Sequence, residues 1–168
     1  MAVTPDRMQK PDMSIKDAMS CFTTGVTVVT THHNEQDWGM TCNSFNTVSL
    51  EPALVLWSLR KTSMSHTAFI HGGGYVVNVL GANQHALALR FAHGTQPERF
   101  AAIEQLRTPQ GRVRVPQAIA WFDCRLTQIV SAGDHDILIG EVVDFGSQAA
   151  PGLAYAHRQF GVLSKLPD

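Results

Sequence analysis

Residues 39–63 read GMTCNSFNTVSLEPALVLWSLRKTS and place small hydroxyl and amide side chains between apolar runs. Residues 45–50 and 53–59 are predicted to be extended. They are predicted as two separate strands, because the Glu-Pro pair between them cannot extend a central strand ladder. The stretch ends on two adjacent cations, Arg60 and Lys61. Hydroxyls, amides and cations together suit a ligand with a polar, many-armed middle and an anionic end. The stretch therefore predicts two strands beside a site for a phosphorylated cofactor.

Outside this stretch the sequence predicts more strands, joined by short helices. Residues 26–31 are rich in β-branched side chains, and residues 38–43 are predicted to return as the second arm of a hairpin. Further extended segments are predicted at residues 75–80, 122–127, 137–145 and 153–163, and short helices at residues 15–22, 63–70, 83–91 and 97–103. About six or seven strands without long βαβ spacing disfavour a doubly wound parallel sheet. The pattern favours a mainly β chain, a small antiparallel barrel with short inserted helices.

The N-terminal part of the sequence predicts an arm followed by a capped helix. Residues 1–13 are interpreted as a flexible arm, and residues 14–168 as one domain. Ser14 and Asp17 form a helix-start pattern, with the hydroxyl placed to cap and the carboxylate facing the positive helix end. The helix is predicted to bury four side chains at helical spacing, Ile15, Ala18, Met19 and Phe22.

The composition narrows the class of protein. The chain has 168 residues and a formal net charge of -1, which gives no general case for binding to nucleic acid or to a membrane surface. Near-neutrality is compatible with self-association. The three cysteines are widely spaced and form neither an even disulfide framework nor a metal-type pair. With no signal-peptide pattern and no apolar run of spanning length, a cytoplasmic location is expected.

Two interpretations of the polar residues stay open on pattern alone. Residues 41–49 are either the polar face of an exposed strand or part of a ligand site, since Ser, Thr and Asn are common at strand ends and turns. Arg60 and Lys61 are by themselves typical of a solvated loop pair. Ser63 follows them closely and adds the hydroxyl and backbone donors that a phosphate needs. The combination favours the ligand site.

His135 and Cys42 are the other candidates for chemistry. His135 lies at a predicted hairpin tip between Asp134 and Asp136, whose carboxylates favour its charged form. It is predicted either to contact a polar ligand or to face solvent. Cys42 is interpreted as packing or cofactor lining, because the sequence assigns no base to activate it. The eight histidines lack metal-ligand spacing, so no metal site is predicted.

Seven blocks of the sequence resemble one family of enzymes. The blocks are FTTGVTVVTT (22–31), GMTCNSF (39–45), VSLEPALVL (48–56), VNVL (77–80), LALRFA (87–92), GDHDILIGEV (133–142) and YAHRQFG (155–161). Together, and in this order, they are specific. The chain resembles the short-chain flavin reductase family, whose members serve as the reductase component of two-component flavin-dependent monooxygenases.

This resemblance implies a fold and an activity. The expected fold is an FMN-binding split β-barrel with Greek-key antiparallel strands, usually in a homodimer. The expected reaction is transfer of a hydride from NADH or NADPH to FMN or FAD, with the reduced flavin passed to a separate monooxygenase. An alternative is a flavoprotein that keeps FMN bound and reduces another acceptor, such as a corrinoid, a metal complex or a quinone. A flavin-binding module without turnover is a further alternative.

The resemblance also assigns residues to parts of the cofactors. The positions expected at the isoalloxazine ring and the ribityl chain are Thr41, Cys42, Asn43 and Ser44. The positions expected toward the ribityl chain and the phosphate are Ser58, Leu59, Arg60, Lys61, Ser63 and Ser65. His135 is expected on the nicotinamide side, and Phe160 beside the flavin. The chain departs from the family where relatives often have Ala-Ser in place of Cys42-Asn43, and where Ala156 interrupts a Tyr-His-Arg run.

Overall fold

The computed structural model describes residues 14–101, 103–104 and 106–164. The arm predicted at residues 1–13 lies outside the described residues. Within them the chain is mainly β, with antiparallel sheets and few helices. The strands are β1 (Thr24–Gly25), β2 (Thr27–His33), β3 (Gln36–Cys42), β4 (Asn46–Leu50), β5 (Ala53–Arg60), β6 (Gly74–Val79), β7 (Leu106–Arg107), β8 (Val113–Arg114), β9 (Ala120–Ala132), β10 (His135–Ser147), β11 (Leu153–Ala156) and β12 (Gln159–Val162).

Seven strands form the main sheet in the order β3-β2-β6-β9-β10-β5-β4. All six neighbouring pairs in it are antiparallel. The predicted parts of residues 39–63 are therefore confirmed as β4 and β5, and the predicted hairpin before them as β2 and β3. No hydrogen-bonded ladder joins the edge strands β3 and β4 among the described residues, so the sheet is not closed into a barrel.

The helices are short and lie between strands. They are α1 (Ile15–Ser20), α2 (His66–His71), α3 (His85–His93) and α4 (Gln96–Phe100), with a 3-10 turn at Ala82–Gln84. Each falls within or beside a segment predicted to be helical. In the part of the chain that is described, no helix combines the length and the apolar composition needed to cross a lipid bilayer.

The two longest strands, β9 and β10, form a hairpin that extends well beyond the predicted segments. Each strand has 13 residues. The turn between them contains Gly133 with φ of 60°, a conformation that glycine adopts without steric cost. The ladder continues through irregularities at Ile139/Gly140 and Val142/Asp144, which absorb extra residues without ending the pairing. Because β9 and β10 pair with each other up to the turn, both strands extend beyond the residues whose side chains alternate between apolar and polar.

The last part of the chain differs from the prediction of a single extended segment. β11 and β12 form a hairpin, because His157 and Arg158 adopt φ values of 50° and 62° and reverse the chain. Residues other than glycine are uncommon in this left-handed region, so the pair His157-Arg158 did not predict a turn. The hairpin joins β1 in a three-stranded sheet separate from the main one.

Two apolar clusters stabilise the fold. One packs α2 against the main sheet, and in it the Trp57 ring of β5 meets that of Phe69 edge-on at 4.8 Å. The other packs α3 and α4 against the sheet, with the Phe91 and Phe100 rings 5.2 Å apart and edge-on. Aromatic pairs in this geometry contribute about 0.5–1.5 kcal/mol beyond the burial of their area. Both rings lie against Gly39, so the helix layer is fixed against the middle of β3.

Helix α1 forms as predicted but does not bury the predicted face. Ser14 and Asp17 make the reciprocal bonds of a capping box. The side chains of Ile15, Met19 and Phe22 are 69%, 68% and 77% exposed, and Ala18 is exposed as well. The prediction of a buried face is therefore wrong, because helical spacing predicts which side chains share a face but not what covers that face.

Polar contacts, and not the apolar face, attach α1 to the rest of the chain. Asp17 forms an ion pair with Arg158 at 2.5 Å. The backbone N of His157 donates to the carbonyl of Ser20 at 2.6 Å. Both contacts reach the tip of the β11–β12 hairpin, so α1 and this hairpin are joined to each other.

A buried ion pair fixes the segment before β9 to the main sheet. Arg112 Nη1 donates to Asp123 Oδ1 at 2.9 Å, and Asp123 is fully buried. The second carboxylate oxygen of Asp123 makes no hydrogen bond to the described residues. Among the described residues, Arg112 alone pairs with the Asp123 carboxylate.

Arg112→Met is expected to lower the free energy of unfolding by about 3–5 kcal/mol, because it leaves a buried carboxylate without a partner. Urea denaturation followed by circular dichroism measures this. Arg125→Met is the matched control, since Arg125 is paired with Glu141 at an exposed position, and it is expected to cost less than about 1 kcal/mol. Equal losses in the two variants would contradict the role given to Arg112.

Candidate functional site

A cleft built from two adjoining cavities lies where β3 ends. The polar cavity has a volume of about 400 Å³ and is lined by Met40, Thr41, Cys42, Asn43, Ser44, Ser58, Arg60, Ser63 and His135. The apolar cavity has a volume of about 390 Å³ and is lined by Val26, Thr41, Cys42, Asn43, Leu89, Ala92, His93, Tyr155, Arg158 and Phe160. Because Thr41, Cys42 and Asn43 line both cavities, the two are treated as one cleft.

The end of β3 is held in place by hydroxyl groups. Thr27, opposite Cys42 in the β2–β3 register, donates its Oγ1 to the Cys42 carbonyl at 2.8 Å. Thr41 donates its Oγ1 to the carbonyl of Ala88 in α3 at 2.6 Å. The Thr41 hydroxyl proton is therefore used within the protein. Asn43 makes no side-chain hydrogen bond to the described residues, so its amide is available to a ligand.

Ser44 joins the β3–β4 connection to β5. Its Oγ accepts a hydrogen bond from the backbone N of Ser58 at 2.9 Å and lies 3.1 Å from the Cys42 Sγ. This contact draws Ser44, Ser58 and Cys42 to the same wall of the polar cavity. Of the polar segment 41–49, the first four residues, 41–44, thus line the cleft.

Arg60 and His135 face each other across neighbouring strands. They are directly opposite in the β5–β10 register, and both line the polar cavity. His135 Nδ1 lies 2.8 Å from Asp134 Oδ1, and this hydrogen bond is the main cause that lowers the pKa of Asp134. The guanidinium of Arg60 makes no hydrogen bond to the described residues. A cation with unused donors in a hydroxyl-lined cavity can bind an anionic group.

Three of the residues predicted for the site lie outside the walls of the cleft. Leu59 is fully buried in the core. Ser65 is 2% exposed, and its Oγ accepts from Gln96 Nε2 at 2.9 Å. Lys61 Nζ is bonded to Ser131 Oγ and the Gly133 carbonyl. The remaining predicted positions line the polar or the apolar cavity.

Aromatic side chains form the far wall of the apolar cavity. Phe160 lies opposite Tyr155 in the β11–β12 register, with ring centroids 5.1 Å apart. The ring of His85 meets Phe160 edge-on at 4.7 Å. Such a wall suits a flat, weakly polar ring, whereas the polar cavity suits a hydroxylated chain with an anionic end. A flavin nucleotide combines these two chemistries.

The residues that hold the back of the site gave no signal in the sequence. Gln96 Oε1 accepts from the backbone N of Gly39 at 3.0 Å while its Nε2 donates to Ser65. Arg99 Nη1 donates to the Gly39 carbonyl at 2.5 Å. A Cβ on Gly39 would lie 2.7 Å from the Phe91 ring, so the absence of a side chain lets the helix layer approach β3. Only the folded chain brings these groups together.

Comparison with known proteins agrees with this chemistry. Residues 19–164 match the model of the flavin reductase like domain. The chain belongs to the flavin reductase family. The resemblance noted in the sequence is therefore confirmed over nearly the whole domain.

Similar flavin reductases cover most of the chain. It is 38% identical over 152 residues to FMN reductase (NADH) SmoA of Agrobacterium fabrum, spanning 90% of this chain and 86% of that protein. It is 40% identical over 142 residues to the reductase component of the flavin-dependent trigonelline monooxygenase of Acinetobacter baylyi, spanning 84% of this chain but 46% of that protein.

The fold matches a solved flavin reductase with similar completeness. The NADH:FAD oxidoreductase SgcE6 of Streptomyces globisporus, in complex with NAD and FAD fragments, superposes with a TM-score of 0.85 at 30% identity. The match covers 91% of this chain and 93% of that chain. The fold described above is therefore shared with a solved flavin reductase.

The thiols differ sharply in their expected reactivity. Cys21 is exposed, whereas Cys42 and Cys124 are buried. Burial raises the pKa of the Cys42 thiol, and burial, reinforced by the Asp123 charge, raises the pKa of Cys124 to about 12. Because the thiolate is the nucleophile, both buried groups are unreactive at neutral pH.

In flavin-free protein at pH 7.5, iodoacetamide is expected to modify Cys21 at least about tenfold faster than Cys42 or Cys124, because a raised pKa lowers the thiolate fraction and burial blocks access. Peptide mass spectrometry over time measures this. Denaturation in guanidinium should make all three react, and Cys21→Ser should remove the fast phase. Rapid labelling of Cys42 in folded protein would contradict its interpretation as cleft lining.

Proposed function

We propose that the protein is a flavin reductase that transfers a hydride from NADH or NADPH to FMN or FAD. The observation that carries the proposal is the cleft, in which an aromatic, apolar cavity adjoins a hydroxyl-lined cavity containing Arg60 and His135. Membership of the flavin reductase family and the likeness to FMN reductase (NADH) SmoA support it. The names of relatives also support a product delivered to a separate monooxygenase component.

In this proposal the protein binds and orients the two cofactors. A flavin and a reduced nicotinamide supply the hydride acceptor and the hydride donor when bound. Tyr155 and Phe160 wall the ring, and the Asn43 amide is available to hydrogen bond at the ring edge. Hydrogen-bond donors placed where negative charge develops on the flavin lower the barrier to hydride transfer. Stacking of the two rings lowers it further by holding donor and acceptor in reactive contact. Of the described residues, none is needed as a general base.

The same proposal assigns roles to the residues of the polar cavity. Arg60 and Ser63 hold the phosphate with donors suited to an anion. His135, oriented by Asp134, faces the nicotinamide from the neighbouring strand. Ser44 and Ser58, on the wall of the same cavity, lie beside the ribityl chain.

We also propose a split barrel, a homodimer and a cytoplasmic location. Support for the barrel is that the edge strands β3 and β4 follow each other in sequence, joined by residues 43–45, which brings the two edges of the sheet together. Support for the dimer is that the long hairpin carries four exposed apolar side chains, those of Ile129, Val130, Val143 and Phe145. Support for the location is that Cys21, Cys42 and Cys124 are all free thiols, which suits a reducing compartment.

Purified protein mixed with NADH or NADPH and excess FMN or FAD is expected to consume the reduced nicotinamide, with loss of its absorbance at about 340 nm, because the cleft holds both rings in contact. Omitting flavin is the control for slow background oxidation. Consumption that requires an added corrinoid, metal complex or quinone would favour the alternative acceptor. Flavin binding without consumption of NADH or NADPH would contradict the reductase proposal.

His135→Ala is expected to raise the KM for NADH about tenfold while the Kd for FMN changes less than about twofold, because a lost contact to a charged or polar ligand costs about one order of magnitude. Steady-state kinetics and quenching of flavin fluorescence on binding measure the two quantities. An equal loss of nicotinamide use and FMN affinity would refute the assignment of His135 to the nicotinamide side.

A further inference from the structure

Arg60 and Lys61 are adjacent in sequence but face opposite sides of the sheet. Arg60 lies opposite His135, and both side chains line the polar cavity. Successive residues of a strand alternate between faces, so Asp136 points away from that cavity and is buried. Lys61 Nζ lies 3.9 Å from Asp136 Oδ1. Lys61 therefore has its ammonium on the far side of the sheet from the proposed phosphate site.

Lys61 makes three hydrogen bonds to the end of β9 and to the turn that follows it. Its backbone N donates to the carbonyl of Asp134 at 3.0 Å. Its Nζ donates to Ser131 Oγ at 2.7 Å and to the carbonyl of Gly133 at 2.8 Å. The two Nζ bonds join the end of β9 to the turn, and they use two of the three protons of the ammonium group.

The same turn carries the group that orients His135. Asp134 Oδ1 is 2.8 Å from His135 Nδ1, the Asp134 carbonyl accepts from the backbone N of Lys61, and the carbonyl of the preceding Gly133 accepts from Lys61 Nζ. A second contact continues away from the turn, where Asp136 Oδ2 lies 2.7 Å from His66 Nε2 in α2. Lys61 is thus the centre of a polar cluster that ties the hairpin tip to the end of β5 and to α2.

We propose that Lys61 is a positioning residue for His135, so that it acts on nicotinamide use and not as a ligand of the flavin phosphate. Arg60 is then the cation of this pair that faces the phosphate. The inference rests on the proposed function, and it refines the expectation from the sequence, in which both cations approach the phosphate. Adjacent cations thereby serve the two different cofactors.

Lys61→Met tests the proposal, because methionine keeps much of the apolar stem and removes the charge and the side-chain donors to Ser131 and Gly133, while the backbone hydrogen bond to Asp134 remains. Arg60→Met is the matched variant at the neighbouring position. KM and kcat with NADH, and the Kd values of FMN and riboflavin, are measured for both. Riboflavin lacks the phosphate, so the ratio of the two Kd values reports the phosphate contact alone.

Lys61→Met is expected to raise the KM for NADH about tenfold and to leave the preference for FMN over riboflavin within about twofold of wild type. Arg60→Met is expected to lower that preference about tenfold, with a smaller effect on the KM for NADH. A selective loss of FMN affinity in Lys61→Met would overturn the proposal, since it would place the ammonium at the phosphate.

A double-mutant cycle distinguishes positioning from general support of the fold. In the His135→Ala background, Lys61→Met is expected to change the KM for NADH less than about twofold, because residues that act through one another are not additive. Full additivity would overturn the proposal. Lys61→Arg, which keeps a charge and several donors, is expected to recover most of the NADH affinity and supplies a second test if Lys61→Met does not fold.

The binding measurements also separate this inference from the proposed function. Wild-type protein that binds FMN but consumes no reduced nicotinamide would refute the reductase proposal itself. In wild-type protein that is active, the inference stands or falls on the Kd ratio and the cycle. The two failures therefore give different results.

Discussion

The antiparallel pairing of β5 with β10 is the constraint on which the site depends. Seven residue pairs in register fix which side chains face each other across the two strands. With that register, Arg60 and His135 share the cleft, while Leu59 and Asp136 share the interior. A shift of one residue would exchange the two sets, because side chains alternate along a strand. Just beyond the end of β5, the backbone N of Lys61 donates to the carbonyl of Asp134 and continues the contact between the two segments.

The helix layer contributes to the site from behind, through β3. Gln96 and Arg99 of α4 bond to the backbone N and carbonyl of Gly39, and the Phe91 ring packs against the same residue. Buried polar groups that are fully bonded specify one arrangement of a core. The end of β3 therefore reaches the cleft in a single defined position, although the residues that fix it never touch a ligand.

Local patterns predicted the strands and most of the cleft-lining residues, because alternation, turn residues and caps act over a few positions. They could not predict Gln96, whose partners are 31 and 57 positions away in sequence. They also could not separate Lys61 from Arg60, since the face of each side chain depends on where pairing with β10 ends. The prediction that α1 buries its apolar face was wrong for a related reason, because helical spacing does not indicate whether another surface covers that face.

The wall formed by Tyr155 and Phe160 lies on two four-residue strands that form a small sheet with β1, separate from the main sheet. Elements with few buried contacts open at a lower free energy than the global unfolding of the chain. We expect local opening of this small hairpin to control the exchange of ligands with solvent, while the seven-stranded sheet stays intact. A short residence time for bound flavin would then be compatible with a rigid and stable enzyme.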